Sequence, residues 1–395
     1  MSSLRIFSVV ATFLTFAFLA GCGGGSSTPP NTIASSGNNV ASISVNSGPA
    51  GNYANGAFAS VTICLPGTST CQTISDILVD TGSSGLRMLS PLITLSLTQQ
   101  NTSGGDPVFE CFPFESGYTW GPVQTADVEI AGEKASSVPV QLIGTSTAVP
   151  EGCLDFALPS SNTLESLGAN GILGIGLFAQ DCGQYCEQVQ TASGNLNLYY
   201  QCASSPCQAT GESLAQQVPN PVTLFATDNN GVIIELPAVS GGETSISGSL
   251  VFGIGTESNN ALGGATIYTA DSSGSFTTTY NGAPYSGSFI DSGSNGYFFP
   301  DTNGITECGV DESGFYCPST TENLSAGNQG VNGSSGTVNF SIGDAATLFD
   351  SNDYVFGDLG GSASNYFDWG LPFFYGRNVY TGVQSASYAN GYWAY

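Results

Sequence analysis

Ile77-Leu78-Val79-Asp80-Thr81-Gly82-Ser83-Ser84-Gly85-Leu86 can be laid without gaps over Ser288-Phe289-Ile290-Asp291-Ser292-Gly293-Ser294-Asn295-Gly296-Tyr297. Both copies run apolar-apolar-Asp, then Thr or Ser, then Gly-Ser-x-Gly. A companion follows each at a similar distance: Gly171-Ile172-Leu173-Gly174 after the first and Phe367-Asp368-Trp369-Gly370 after the second. One Asp-Thr-Gly would mean little, because Asp and Gly are common turn residues. Two copies, each with its companion, are what a duplicated unit leaves behind. Around them, 53 Gly with many Ser, Thr and Asn punctuate short stretches rich in β-branched and aromatic residues, at 41–45, 57–64, 74–79, 125–130, 138–143, 232–236, 249–252 and 337–342. This spacing predicts a mainly β protein, with short helices only at 158–167 and 212–218.

A strand that is apolar up to its last residue and then turns at Asp-Thr-Gly presents its carboxylate at the edge of a core. Gly permits the tight turn and the approach of backbone amides, while the Thr or Ser hydroxyl can tie one turn to its twin. If a pseudo-twofold axis relates the halves, Asp80 and Asp291 converge on one point. Two carboxylates in near contact share one proton. The ionised member can take a proton from a water molecule while the protonated member polarises a carbonyl. Such chemistry requires no imidazole, metal or covalent intermediate, and the chain has no His. That absence excludes the Ser-His-Asp triad, the Cys-His dyad and His-based zinc sites.

On these motifs the chain resembles the pepsin-like aspartic proteases. The resemblance implies a mainly β, bilobal double barrel with an interlobe cleft, its lobes at 40–219 and 220–395, and an endopeptidase activity that uses no cofactor. It makes Asp80 and Asp291 the catalytic pair, supported by Gly82 and Gly293. Thr81 and Ser292 become a hydroxyl lock beneath them, and Ser83 and Ser294 the donors to their outer oxygens. Ile172-Leu173-Gly174 is similar to the element that crosses behind the first active-site loop, Ser249-Leu250-Val251-Phe252-Gly253 to a strand of the second lobe, and 371–381 with Arg377 to the C-terminal segment. The family's flap falls at 114–132, with Phe114, Tyr118 and Trp120 as flap or substrate residues. Phe114 stands where the family carries its flap Tyr, and Arg87 where it carries the Trp bonded to that Tyr. Tyr118 is the alternative source of the missing hydroxyl. The chain also resembles bacterial lipoproteins carrying the DUF3443 domain.

With 30 Asp+Glu against 4 Lys+Arg, a net charge of −26 excludes a phosphate-backbone partner. Residues 1–22 read as a signal segment: Arg5, an apolar run from Ile6 to Leu19 that is short for a membrane span, then Leu19-Ala20-Gly21-Cys22. The last four resemble the bacterial lipobox, in which Cys22 becomes the lipidated first residue, with 23–39 as a flexible tether. The expectation is a monomer, lipid-anchored in the cell envelope and facing the periplasm or exterior, acting on polypeptide. Setting Cys22 aside from the 11 Cys leaves an even set. Pairing near neighbours joins Cys64 to Cys71, Cys182 to Cys186, Cys202 to Cys207 and Cys308 to Cys317, and leaves Cys111 with Cys153. Spacing does not fix this connectivity, and a zinc site at Cys182, Cys186, Cys202 and Cys207 is the rival. Residues 195–209 read as a disulfide-pinned surface insertion of irregular coil.

Three other readings compete. Asp80 and Asp291 could be turn residues capping their own backbone. The same fold could serve a catalytically weak or inactive surface protein whose cleft binds peptides, glycans or a protein partner. The Gly, Ser, Thr and Asn content would suit an adhesive protein, although those carry arrays of several repeats. No Asp-x-Asp-x-Asp-Gly calcium loop occurs. Since most carboxylates neutralise in acid and few cations remain to repel one another, the composition also predicts retained folding at low pH.

Overall fold

The computed structural model describes residues 32–191, 196–301 and 304–395; the signal segment, Cys22 and the first part of the tether lie outside them. Both sequence copies build the same three-strand unit. The strand Cys71–Asp80 ends at Asp80, the chain turns, and Ser84–Leu89 leads away. Gly171–Ile175 inserts between them, parallel to the first with Gly174 opposite Asp80 and antiparallel to the second with Ile175 opposite Ser84. In the second copy Asp368–Trp369 inserts between Ala283–Ile290 and Tyr297–Phe299, again parallel to one and antiparallel to the other. The registers agree, with Leu173 opposite Val79 as Trp369 is opposite Ile290. Apolar strand ends suit this arrangement because neighbours cover both faces: the last four residues of Cys71–Asp80 are all buried.

Gly56–Cys64 pairs with Cys71–Asp80 on one side and with the long strand Gly117–Ile130 on the other. Glu133–Ile143, Ser84–Leu89 and Gly171–Ile175 complete the ring, which closes as a six-stranded barrel. Closure leaves no free edge in that ring. The second unit belongs to a seven-stranded, barrel-like sheet with Phe276–Tyr280, Glu322–Gln329 and Ser335–Ile342. Val40–Asn46 joins the two halves of the sequence, pairing with Gly56–Cys64 and with Ile246–Phe252. Its burial alternates along the strand, the period-two pattern of a half-buried β segment. One apolar cluster runs without a break from Ile43 and Val79 to Trp369 and Trp393.

The mainly β expectation holds, and helices are short. Of 158–167 only Leu164–Leu167 is helical, started by the Thr163 hydroxyl, which accepts from the Ser166 amide. The helix expected at 212–218 is instead a turn closed by the Gln217 amide on the Ser213 carbonyl at 3.1 Å, and Pro219 behind it disfavours continuation. All five disulfides follow the near-neighbour scheme, Cys111–Cys153 included. The thiols proposed for zinc are therefore bonded to each other. The insertion is not irregular coil: Tyr199–Gln201 is a strand on the edge of Val108–Phe114, and Tyr199 is fully buried. An apolar ring with a hydroxyl partner inside gives this segment the anchor that its Ser-rich sequence hides.

Glu212 is 2 % exposed and its Oε1 has no hydrogen-bond partner. Burial pushes its carboxyl from 4.5 up to about 7. A raised folded-state value means stability that is full below the unfolded value and lost as pH climbs through about 7. Glu212→Gln should therefore flatten the fall in unfolding free energy between pH 4 and pH 8, measured by denaturant titration; an unchanged slope would contradict this assignment. Burial also raises Glu133, Glu235 and Asp358. Asp127 runs the other way, since the Ser137 and Gly67 amides and the Lys134 ammonium outweigh its burial and lower it. Upward shifts predominate among these carboxyls, the direction that costs folded-state stability as pH rises and not as it falls.

Candidate active site

The two Asp-turns meet and are tied reciprocally. The Thr81 amide donates to Ser292 Oγ at 3.1 Å, and the Ser292 amide to Thr81 Oγ1 at 2.9 Å. Each hydroxyl then donates to a carbonyl of the opposite strand, Thr81 Oγ1 to Ile290 at 3.3 Å and Ser292 Oγ to Val79 at 2.7 Å. Both residues are buried. Removing either hydroxyl would leave buried backbone groups unpaired, so Thr or Ser is required at these positions.

The lock brings the carboxylates together. Asp80 Oδ1 accepts from the Gly82 amide at 2.8 Å and the Ser83 amide at 3.1 Å, and Oδ2 accepts from Ser83 Oγ at 2.5 Å. Asp291 Oδ1 accepts from the Gly293 amide at 2.7 Å, and Oδ2 from Ser294 Oγ at 3.0 Å. The Gly82 amide also reaches Asp291 Oδ1 at 3.0 Å, so one N–H is shared by both carboxyls. A Cβ on Gly82 would stand 2.6 Å from Asp291 Cγ, and one on Gly293 2.9 Å from Asp80 Cγ. Only Gly permits this approach. Burial, then Asp80, then Asp368 push the Asp291 carboxyl well above the usual range, and a hydrogen bond with Asp80 adds to the effect. The proximity of Asp80 thus disfavours ionisation of Asp291. Beside it opens a cavity of about 290 Å³ lined by Thr81, Gly82, Ser84, Phe178, Gly274 and Phe289.

Val108–Phe114 and Gly117–Ile130 form a hairpin with Glu115 and Ser116 at its tip, so it begins upstream of the 114–132 expected for the flap. Arg87 accounts for its base. The fully buried guanidinium donates to Glu110 at 2.6 Å, to Asp181 at 3.1 Å and to the Ser84 carbonyl at 2.8 Å. It also lies 3.9 Å from the Phe112 ring centroid and 5.7 Å from that of Phe114. Burial opposes its charge, but Glu110 and Asp181 more than offset this and raise it. Burial and Glu110 hold Asp181 well above the usual carboxylate range, against the opposing pull of Arg87. Tyr199 Oη, from the inserted strand, donates to Asp181 Oδ2 at 2.8 Å. Tyr118 and Trp120 are buried with Cys111, Cys153 and Tyr200 in a satellite cluster behind the hairpin, and Trp120 Nε1 donates to the Thr147 carbonyl at 3.0 Å. Of the three aromatics expected at the flap, Phe114 alone remains partly exposed.

Three residues near the pair escaped the sequence reading. Tyr53 is raised by burial and by both Asp80 and Asp291; its Gly- and Asn-rich turn gave no sign of this. Glu115, on the hairpin tip, accepts from the Tyr366 hydroxyl at 3.2 Å, so the hairpin reaches the segment before the second companion motif. Asp368 is 5 % exposed and is held well above the usual range by burial, while its bond with Ser294 acts in the opposite direction. It was visible as the acidic member of a companion whose first copy carries Ile172.

Barrel-like sheets thus carry the two aspartates of the repeated motif to one place. Residues 35–395 match the family described as protein of unknown function DUF3443, and the chain belongs to that family. No curated protein matches it. Among the described residues no helix is long and apolar enough to cross a membrane.

Proposed function

We propose that this protein is an aspartic-type endopeptidase of pepsin-like, bilobal architecture, its lobes at 40–219 and 220–395. The carrying observation is the reciprocal Thr81–Ser292 tie with the Gly82 amide shared by Asp80 and Asp291. Holding two carboxyls together is costly unless their shared proton is used. In this reading Asp291, which faces Asp368 as well as Asp80, holds the shared proton and hydrogen-bonds the scissile carbonyl. Asp80 takes a proton from a water molecule, whose oxygen bonds to the carbonyl carbon as the Asp291 proton moves to the carbonyl oxygen. The tetrahedral adduct then returns a proton to the carboxyl pair, the amide nitrogen receives a proton from that pair, and the C–N bond breaks. No cofactor enters. The substrate is polypeptide, met outside the cytoplasm by a protein held to a membrane through lipidated Cys22.

The hairpin favours a second reading, a catalytically weak or inactive surface protein that binds peptides, glycans or a protein partner in the cleft. Phe114 lacks a hydroxyl, and the Cys111–Cys153 disulfide and the strand Tyr199–Gln201 tie the hairpin down. Digestion of an unfolded protein in acid by the disulfide-bonded chain, blocked by a statine-type peptide, is the result expected of the peptidase. Binding of that peptide without digestion would favour the second reading.

A further inference from the structure

Asp368 places a carboxyl where the repeat has a hydrocarbon. Its counterpart is Ile172, which lies opposite Leu78 in the register as Asp368 lies opposite Phe289. Trp369 beside it is fully buried in the core. Alternation along the strand therefore turns Asp368 to the other face, the one it shares with Phe289, which lines the cavity beside the dyad. The Asp368 carboxyl bonds Ser294 and senses Asp80 and Glu115, yet its buried Oδ1 has no hydrogen-bond partner. Glu115 lies on the hairpin tip, fixed by Tyr366. None of the four ion pairs among the described residues involves Asp80, Asp291, Asp368 or Glu115.

A buried acceptor without a donor is unfavourable, and a cationic ligand would remove the deficit and the mutual repulsion together. No group of three or more His, Cys, Asp or Glu among the described residues is arranged to hold a metal ion. We propose that Asp368 and Glu115 form a subsite for a lysine or arginine side chain of a polypeptide bound across the dyad, an inference that rests on the peptidase reading. An ammonium has three donors and a guanidinium five, enough to engage Asp368 Oδ1 and a second carboxyl. An uncharged side chain of the same shape leaves that oxygen unpaired, and sites built to hydrogen-bond a ligand reject the analogue that cannot. Asp80, Asp291, Glu115 and Tyr366 are the titratable groups that face Asp368. A cation arriving among them displaces the Asp368 proton, so its affinity should strengthen as pH rises from acid toward neutral.

The test titrates the disulfide-bonded protein with acetylated, amidated peptides in which one Lys, or its isostere norleucine, is walked through successive positions. Calorimetry reads binding and mass spectrometry reads cleavage. At one position Lys should bind about tenfold tighter than norleucine, and the ratio should fall to near unity in both Asp368→Leu and Asp368→Asn, the second of which keeps the native shape. A wild-type ratio near unity at every position, or a preference that survives in Asp368→Asn, would overturn the subsite. Cleavage without any Lys preference would sink the subsite and leave the peptidase reading intact. Asp368-dependent binding of Lys without cleavage would support the subsite and sink the peptidase reading.

Discussion

Asp80→Asn and Asp291→Asn should each lower kcat/KM on an unfolded protein by roughly a thousandfold, with the fold retained. One carboxyl cannot serve at once as the base that takes the proton of water and as the acid that protonates the carbonyl. An amide can do neither. Structure should survive, because the Asn oxygen can still accept from the amides of Gly82, Ser83 or Gly293 that now serve the carboxylates. The substitution also removes a repulsion. Since the pair acts as a unit, the double variant should be little worse than either single one. The check is peptide release followed by chromatography, with circular dichroism reporting the fold. Cleavage by either variant within tenfold of wild type would remove the dyad from the mechanism.

Arg87→Leu should lower the unfolding free energy by about 3 to 5 kcal/mol at neutral pH, the usual cost of removing one partner of a buried ion pair. Glu110 and Asp181 would face each other without their cation, and Phe112 would lose the guanidinium beneath it. The sign of the pH effect follows from the same geometry. Unpaired buried carboxyls take up protons more readily as pH falls, which relieves their repulsion, so the loss should shrink in acid. Denaturant titrations at two pH values measure both quantities. A cost below about 1 kcal/mol, typical of a surface pair, or one that grows in acid, would contradict the network.

The repeated Asp-turns and the strands around them were legible in the sequence because local constraints write them directly. Gly82 and Gly293 are forced by the close approach of the facing Asp, and Thr81 and Ser292 by the need for a buried hydroxyl. Near-neighbour disulfides were legible for the same reason, since short loops leave Cys few reachable partners. The hairpin environment was not. Arg87 reads as an odd substitution until Glu110, Asp181 and Tyr199 arrive from three other segments, and no spacing rule connects them. Tyr118 and Trp120 looked available for substrate because strand alternation does not say which face of a hairpin a satellite cluster will cover. The helix expected at 212–218 gives way to a turn in which Glu212 and Gln217 are buried, a tertiary placement that local sequence does not encode. Asp368 required comparing the two copies with each other, where a carboxyl in the place of Ile172 marks the point at which the halves diverge.

The most direct measurement of the central claim is the pH dependence of kcat/KM for hydrolysis of an unfolded protein by the disulfide-bonded wild type, from about pH 3 to pH 8. A pair sharing one proton is active only while singly protonated. The account predicts a bell-shaped profile whose alkaline limb lies above the ordinary carboxylate range, because burial, then Asp80 and Asp368, raise the Asp291 carboxyl. No hydrolysis at any pH by protein shown to be folded, or a rate still rising at the alkaline end, would contradict it.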